Sequence, residues 1–240
     1  MVLDQSDIEK ANVHLSSLSA EERVTWAWNE FGSGLILSTS FGLQSGVMLD
    51  IVMKISSEIP VIFVDTGYLF PETYEYANQL QEKLGFRANV FSAKMSSAYQ
   101  ERSFGKLWEQ GKDGMKKYNF INKKEPMERA LLQFNAKAWL SGLRRSQSVD
   151  RGKRPFIEKQ DNIIKIYPIL DWDDRKTYKF LPKHKIPYHP LEGMGYESLG
   201  DHHSTEKYDP KKCKGESRHG VHGRECGLHL DLPEGLDFSV

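Results

Sequence analysis

Cysteine is nearly missing from this chain: 240 residues carry two, at positions 213 and 226. Two thiols cannot build a disulfide framework for a protein of this size, so their interest is chemical rather than structural. Net charge is missing too. Thirty-three Lys and Arg balance thirty-three Asp and Glu, which gives no global reason to expect a nucleic-acid or membrane surface. No apolar run approaches the roughly 20 residues needed to cross a bilayer, and the opening MVLDQSDIEKANVHL has no basic stretch followed by an apolar one. A cytoplasmic protein is expected. Repeats and low-complexity stretches are also absent, and the 39% hydrophobic content suits one large core or two small ones.

What is present is an alternation. LSAEERVTWAWNEF has the period of an amphipathic helix, with Val24, Trp26, Ala27 and Phe31 recurring on one side. GLILSTSFG follows with the short apolar run Leu35–Leu37, and LQSGVMLDIVMKI resumes helical spacing. The next unit repeats the order: Val61–Val64 as a buried strand, Asp65-Thr66-Gly67 as a turn, and a helix opened by Pro71 and closed by Gly85. Further apolar runs in ANVFSA, AWLSGL and IIKIYPIL complete a pattern that predicts an α/β fold: an open, mostly parallel twisted sheet with helices on both faces. After Pro190 the composition turns rich in Gly, His and Lys and loses apolar period. The expected organisation is therefore a nucleotide-binding domain over residues 1–190, with an N-terminal helical segment, and a mobile C-terminal tail over 191–240 that carries Cys226.

In such a sheet, ligands bind beyond the carboxyl ends of the strands. Three polar strand exits stand there. Ser38–Ser45, STSFGLQS, suits either an ordinary helix cap or a phosphate cradle of hydroxyls and backbone N–H groups. VDTGYLFPET offers Gly67 for close backbone approach and the Tyr68 ring for stacking, or a plain turn with a core tyrosine. Ser141–Arg154 holds five basic residues and one acid, either a solvated charged loop or an anion site. In the tail, Lys211, Lys212, Lys214, Arg218 and Arg224 surround Cys226, with Glu216 and Glu225 nearby. Positive surroundings lower a thiol's pKa and favour the nucleophilic thiolate.

The motifs STSFGLQS, VDTGYLFPETY, GKLWEQG, KYNFINKKEPM, GLRRSQS, PILDW and RECGLH, in that order, resemble the thioredoxin-dependent phosphoadenylyl-sulfate (PAPS) reductases from about Gly34 to His229. The resemblance implies an adenine nucleotide alpha-hydrolase-like fold, related to the ATP pyrophosphatases, and sulfite as product. Its iron–sulfur branch, which reduces adenylyl sulfate (APS), carries two cysteine pairs; the matching positions here are Tyr118-Asn119 and Asp201 with Ser204. This chain thus resembles the cluster-free branch, which prefers the substrate bearing a 3′-phosphate and needs no iron–sulfur, flavin or nicotinamide cofactor and no metal. The ATP pyrophosphatases carry Ser-Gly-Gly-x-Asp-Ser in the first loop, whereas SFGLQS has Phe41 for the first glycine and Gln44 for the aspartate. That weakens ATP activation by magnesium and leaves nucleotide recognition intact.

The resemblance also implies roles. Cys226 is the nucleophile and His229 stabilises it or orients the tail. Ser38, Thr39 and Ser40 hydrogen-bond the nucleotide or its phosphosulfate, and Thr66, Gly67 and Tyr68 line the nucleoside pocket. Lys123, Arg144, Arg145 and Arg151, with Arg218 and Arg224 of the tail, neutralise phosphate, and Gln147 and Ser148 assist. Expected partners are 3′-phosphoadenylyl sulfate, thioredoxin or glutaredoxin as dithiol reductant, and a second copy in a homodimer. Two rival readings stand beside this one. A ligase or sulfurtransferase of the ATP-pyrophosphatase kind would share the fold. A zinc module could use His202, His203, Cys213, His219, His222, Cys226 and His229.

Overall fold

Leu35, Ile36 and Leu37 are all fully buried. Neighbours in a strand point to opposite faces, so this run must be covered on both sides. In the computed structural model, which describes residues 3–148 and 150–209, that is how it lies. β1 (Leu35–Thr39), β2 (Val61–Asp65), β3 (Ala88–Ser92), β4 (Ala138–Leu140), β5 (Ile157–Gln160) and β6 (Ile163–Ile166) form one sheet in the order β3-β2-β1-β4-β6-β5. Every pairing is parallel except β5 with β6. The register sets Leu37 opposite both Val61 and Leu140, which stacks the apolar runs across the centre.

Alternation along β1 sorts the helices. Leu35 and Leu37 join the large cluster with α2 (Ala20–Phe31), α3 (Ser45–Ile55), α4 (Pro71–Leu84) and α8 (Asp174–Lys183), while α1 (Gln5–Ser16) adds Ile8 and Leu15. Ile36 points the other way, to Ile62, Trp139 and the Met127 and Ala130 of α7 (Glu125–Gln133). Each such buried side chain stabilises the fold by roughly 1.5–3 kcal/mol relative to exposure. The helix ends follow their sequence signals. Ser19 and Glu22 close a reciprocal cap on α2, and Pro71 opens α4 while Gly85, at φ +71°, ends it in the left-handed region. Among the described residues no helix is long and apolar enough to cross a membrane.

A smaller cluster of Tyr68, Leu107, Tyr118 and Ile121 sits beside the sheet's carboxyl end. It is built around α5 (Ser97–Phe104), α6 (Gly111–Asn119) and the π-helical turn Phe120–Lys124 that joins α6 to α7. Residues 191–209, the described part of the expected tail, return to the same end. Leu69 and Asp201 form an antiparallel bridge, and the His202 N–H donates to the Tyr68 carbonyl at 2.8 Å.

Candidate active site

Beyond the carboxyl ends of β1, β2 and β4 lies a cavity of about 430 Å³, within the range of small-molecule sites. One wall is carried by the strands. Ser38, Thr39 and Ser40 line it from the end of β1, Thr66 from the end of β2, and Ser141 from the end of β4. Ser38 Oγ accepts from the Trp139 indole N–H at 2.6 Å, and Thr39 Oγ1 accepts from the Phe41 N–H at 3.1 Å. Phe41 has φ +47°, a conformation glycine adopts freely and a bulky residue does not. Its ring is fully buried edge-on against Phe63 at 4.9 Å, so core packing holds the first loop in a glycine-like shape without a glycine.

The basic loop after β4 separates into two directions. Arg144 is buried and lines the cavity; its guanidinium donates to Asp174 Oδ1 at 2.7 Å and to Gln44 Oε1. Gln44, the substitute for the pyrophosphatase aspartate, thus orients an arginine. Gln147 and Arg151 also line the cavity, and Gln147 Oε1 accepts from both the Arg144 N–H and the Arg151 guanidinium. Arg145 turns away. Its guanidinium donates twice to the Arg154 carbonyl, at 3.1 and 2.8 Å, and stacks 5.0 Å from the Phe156 ring centroid. Neither Arg145 nor Ser148 contributes to the lining.

The β2 exit divides in the same way. Thr66 faces the cavity, but Gly67 and Tyr68 do not line it. Gly67 answers a local demand: φ is +73°, and a Cβ there would come within 2.4 Å of Ser97 Oγ. Tyr68 is buried against Trp108, Tyr118 and His203, with ring centroids 5.0, 5.8 and 5.3 Å away, and its hydroxyl donates to the Ser97 carbonyl. Burial, with the Glu101 carboxylate, pushes that hydroxyl up to about 12.

A second wall comes from Glu192 and from Tyr196 to Asp201. Asp201 is its deepest group. It pairs with Lys123 Nζ at 2.7 Å and accepts from Thr66 Oγ1 at 2.5 Å. Burial alone would raise its carboxyl, but the Lys123 ammonium and the Thr66 hydroxyl hold it well below the usual carboxylate range. Next to it His203 stacks on Trp108 at 4.0 Å between centroids; burial lowers its imidazole to about 4, against the pull of Asp201, so it is neutral near pH 7. Tyr118, Asn119, Asp201 and Ser204, the positions matched to the cysteine pairs of the iron–sulfur branch, gather here. Tyr118 touches the His203 ring at 5.0 Å, and Ser204 Oγ donates to the Asp201 carbonyl at 3.3 Å. None is a thiolate, so this donor set does not fit a [4Fe–4S] cluster.

Sequence reasoning did not single out Asp201, Asp174 or the Tyr196–Gly200 stretch as cavity residues. The spacing of GDHHST carried no signal that its aspartate would meet Lys123 across 78 positions of chain. Cys226, His229, Arg218 and Arg224 lie outside the described residues, as do Cys213, His219 and His222 of the zinc reading. Among the described residues no three His, Cys, Asp or Glu side chains converge as a metal site.

Known proteins resemble this chain in sequence and fold. The model of the phosphoadenosine phosphosulfate reductase domain matches residues 34–207. A phosphoadenosine 5′-phosphosulfate reductase of Salmonella typhi is 48% identical over 222 residues, 92% of this chain and 91% of its own length. One from Serratia proteamaculans (strain 568) is 50% identical over 218 residues, covering 91% and 89%. The crystal structure of phosphoadenylyl-sulfate (PAPS) reductase from Candida auris, a phosphate complex, superposes with a TM-score of 0.76 at 33% identity, over 85% of this chain and 98% of that one. With near-complete coverage in sequence and structure alike, this chain belongs to the phosphoadenosine phosphosulfate reductase family.

Proposed function

We propose that this chain reduces 3′-phosphoadenylyl sulfate to sulfite and adenosine 3′,5′-bisphosphate in assimilatory sulfate reduction. The observation that carries the reading is the cavity: the hydroxyl residues Ser38, Thr39 and Ser40 and the cations Lys123, Arg144 and Arg151 line one space at the sheet's carboxyl end. Such a pairing suits a phosphorylated nucleotide, because charge-assisted contacts to phosphate are the strong ones. Preference for the 3′-phosphorylated substrate over adenylyl sulfate rests on the lack of cluster ligands.

The chemistry needs one thiolate and one external dithiol. Cys226 Sγ attacks the sulfonyl sulfur, an S–S bond forms, and the S–O bond to phosphate breaks with its electron pair on the departing nucleotide. The product on the enzyme is S-sulfocysteine. A thiolate of thioredoxin or glutaredoxin then attacks Cys226 Sγ, and sulfite leaves with the S–S electron pair. The resolving thiol of that dithiol protein breaks the mixed disulfide, returns Cys226 as a thiol and leaves its own disulfide, so two electrons pass from the dithiol to sulfur. No flavin, nicotinamide or metal is needed for this balance. His229 orients the C-terminal segment or stabilises the thiolate, and Arg218 and Arg224 add charge around it. The working form is a cytoplasmic homodimer.

Sulfite release tests the reading directly. With 3′-phosphoadenylyl sulfate and a reduced dithiol protein it is expected, and with either omitted it is not. Release of pyrophosphate from ATP instead would favour the ligase or sulfurtransferase reading.

A further inference from the structure

Asp201 is a carboxylate in the wall of an anion site, and the proposed reaction gives it no task. It is 1% exposed and Lys123 is 4% exposed, so the pair is removed from solvent. Burying both charges costs more than a buried apolar pair of similar size, and such a bridge is weak as a stabilising device. Its geometry suggests another use. Thr66 Oγ1 donates to one carboxylate oxygen while Lys123 Nζ meets the other at 2.7 Å, which fixes the carboxylate plane. The Asp201 carbonyl is tied as well, accepting from the Ser204 N–H at 3.0 Å and Thr205 Oγ1 at 2.9 Å. The Tyr118 ring lies 5.3 Å from the ammonium.

An ammonium on a four-carbon stem is flexible and has three N–H donors. Here one side of it is occupied by Asp201 and another by an aromatic face, while Lys123 still lines the cavity. We infer that Asp201 is a positioning residue for the reaction: it locks Lys123 Nζ at the cavity wall so that its remaining N–H groups point at the anionic part of the nucleotide. Because Thr66 directly follows β2, Lys123 sits on the π-helical turn and Asp201 on the 191–209 segment, one carboxylate joins three separate parts of the chain at the point where ligand is held. Asp201 stays ionised and His203 stays neutral, so the charge of Asp201 is answered by Lys123. This inference rests on Lys123 being an anion-binding residue of the proposed reaction.

The test compares Lys123→Met, Asp201→Asn and the double variant in the full chain, reading thermal unfolding, kcat/KM for sulfite release, and affinity for adenosine 3′,5′-bisphosphate by calorimetry. Each single variant leaves a buried group without its partner and is expected to lower Tm. The double variant, with no unpaired charge, is expected to regain Tm near that of the wild type. Activity behaves differently: Asp201→Asn is expected to lose about as much kcat/KM as Lys123→Met, roughly 30-fold or more, and the double variant to lose no more than either, because the two act as a unit. A purely structural pair would restore kcat/KM together with Tm in the double variant, and that result would overturn the inference. So would Asp201→Asn with kcat/KM within threefold of the wild type, or with tighter binding of the bisphosphate and unchanged turnover. Absence of sulfite release by the wild-type enzyme would instead count against the reaction, and the calorimetric comparison of the variants would still judge the role of Asp201.

Discussion

The two walls of the cavity are built on different principles. The strand-borne wall, Ser38–Ser40, Thr66 and Ser141, hangs from β1, β2 and β4, whose apolar residues are packed on both faces. The wall from Glu192 to Asp201 has no named helix or strand; beyond the buried Leu199 and the Tyr196 ring against Phe70, it is held by one isolated bridge, one buried ion pair and a few polar bonds. Hydrophobic packing is insensitive to pH and to the loss of a single polar group, whereas polar fastening is sensitive to both. The difference suggests a division of labour: the sheet side fixes the nucleotide, and the C-terminal side, which continues toward Cys226, brings the chemistry.

The sharpest break in that division is Cys226→Ser. It is expected to abolish sulfite release while affinity for adenosine 3′,5′-bisphosphate changes by only a few-fold, since the thiol reacts with the ligand without anchoring it. Surviving turnover would move the nucleophile elsewhere. Next in size is Arg144→Ala on the sheet side, expected to weaken nucleotide binding by ~1.5–3 kcal/mol. Its partner Asp174 is about half exposed and can be hydrated once freed, so the loss should register in calorimetry far more than in Tm. Equal losses in both would make Arg144 structural.

Acid should loosen the polar wall before it loosens the sheet. His189, just ahead of this wall, is lowered to about 4 by burial, against the raising effect of Glu72, and its Nδ1 accepts the Leu191 N–H at 3.1 Å. His203, just past it, is also lowered to about 4. Both folded values lie below the ordinary ~6.5, so the unfolded chain takes up protons first as pH falls. Stability is therefore whole above pH 6.5, declines between 6.5 and about 4, and gains no further loss from these groups below that. At ~1.4 kcal/mol per pH unit the loss is on the order of 3 kcal/mol for the buried His189, with a smaller addition from the more exposed His203, where solvent screens the charge. Hydrogen exchange at pH 5 should show residues 191–205 opening ahead of β1 and β2; simultaneous opening would erase the distinction between the walls. The smallest effect belongs to Arg145→Ala. Because its guanidinium serves the Arg154 carbonyl and the Phe156 ring, nucleotide affinity should stay within threefold, and a loss like that of Arg144→Ala would contradict its placement.

The same contrast explains what could be read from the chain. Leu35–Leu37, Val61–Val64 and the Pro71-to-Gly85 helix were legible because apolar period and end signals are local properties. β5 was not, since Ile157-Glu-Lys-Gln offers one apolar residue in four and gains its place by antiparallel pairing with β6. Arg144 and Arg145 are neighbours of the same type, and their opposite directions depend on Asp174 and Arg154, which spacing cannot supply. Asp201 was read only by comparison with cysteines it replaces; its pairing with Lys123 is a product of tertiary structure. Tyr68, offered by sequence as a stacking ring or a core tyrosine, packs among Trp108, Tyr118 and His203 because the 191–209 segment folds back over it.

The central claim, nucleotide held by the sheet side and sulfur taken by the C-terminal side, is tested most directly by labelling. The enzyme is mixed with 3′-phosphoadenylyl sulfate carrying radioactive sulfur, without any dithiol, and digested for peptide mapping. The account predicts close to one label per chain on the peptide containing Cys226, released as sulfite when reduced thioredoxin is added. Label on no peptide while sulfite still forms, or label that thioredoxin cannot release, would contradict it.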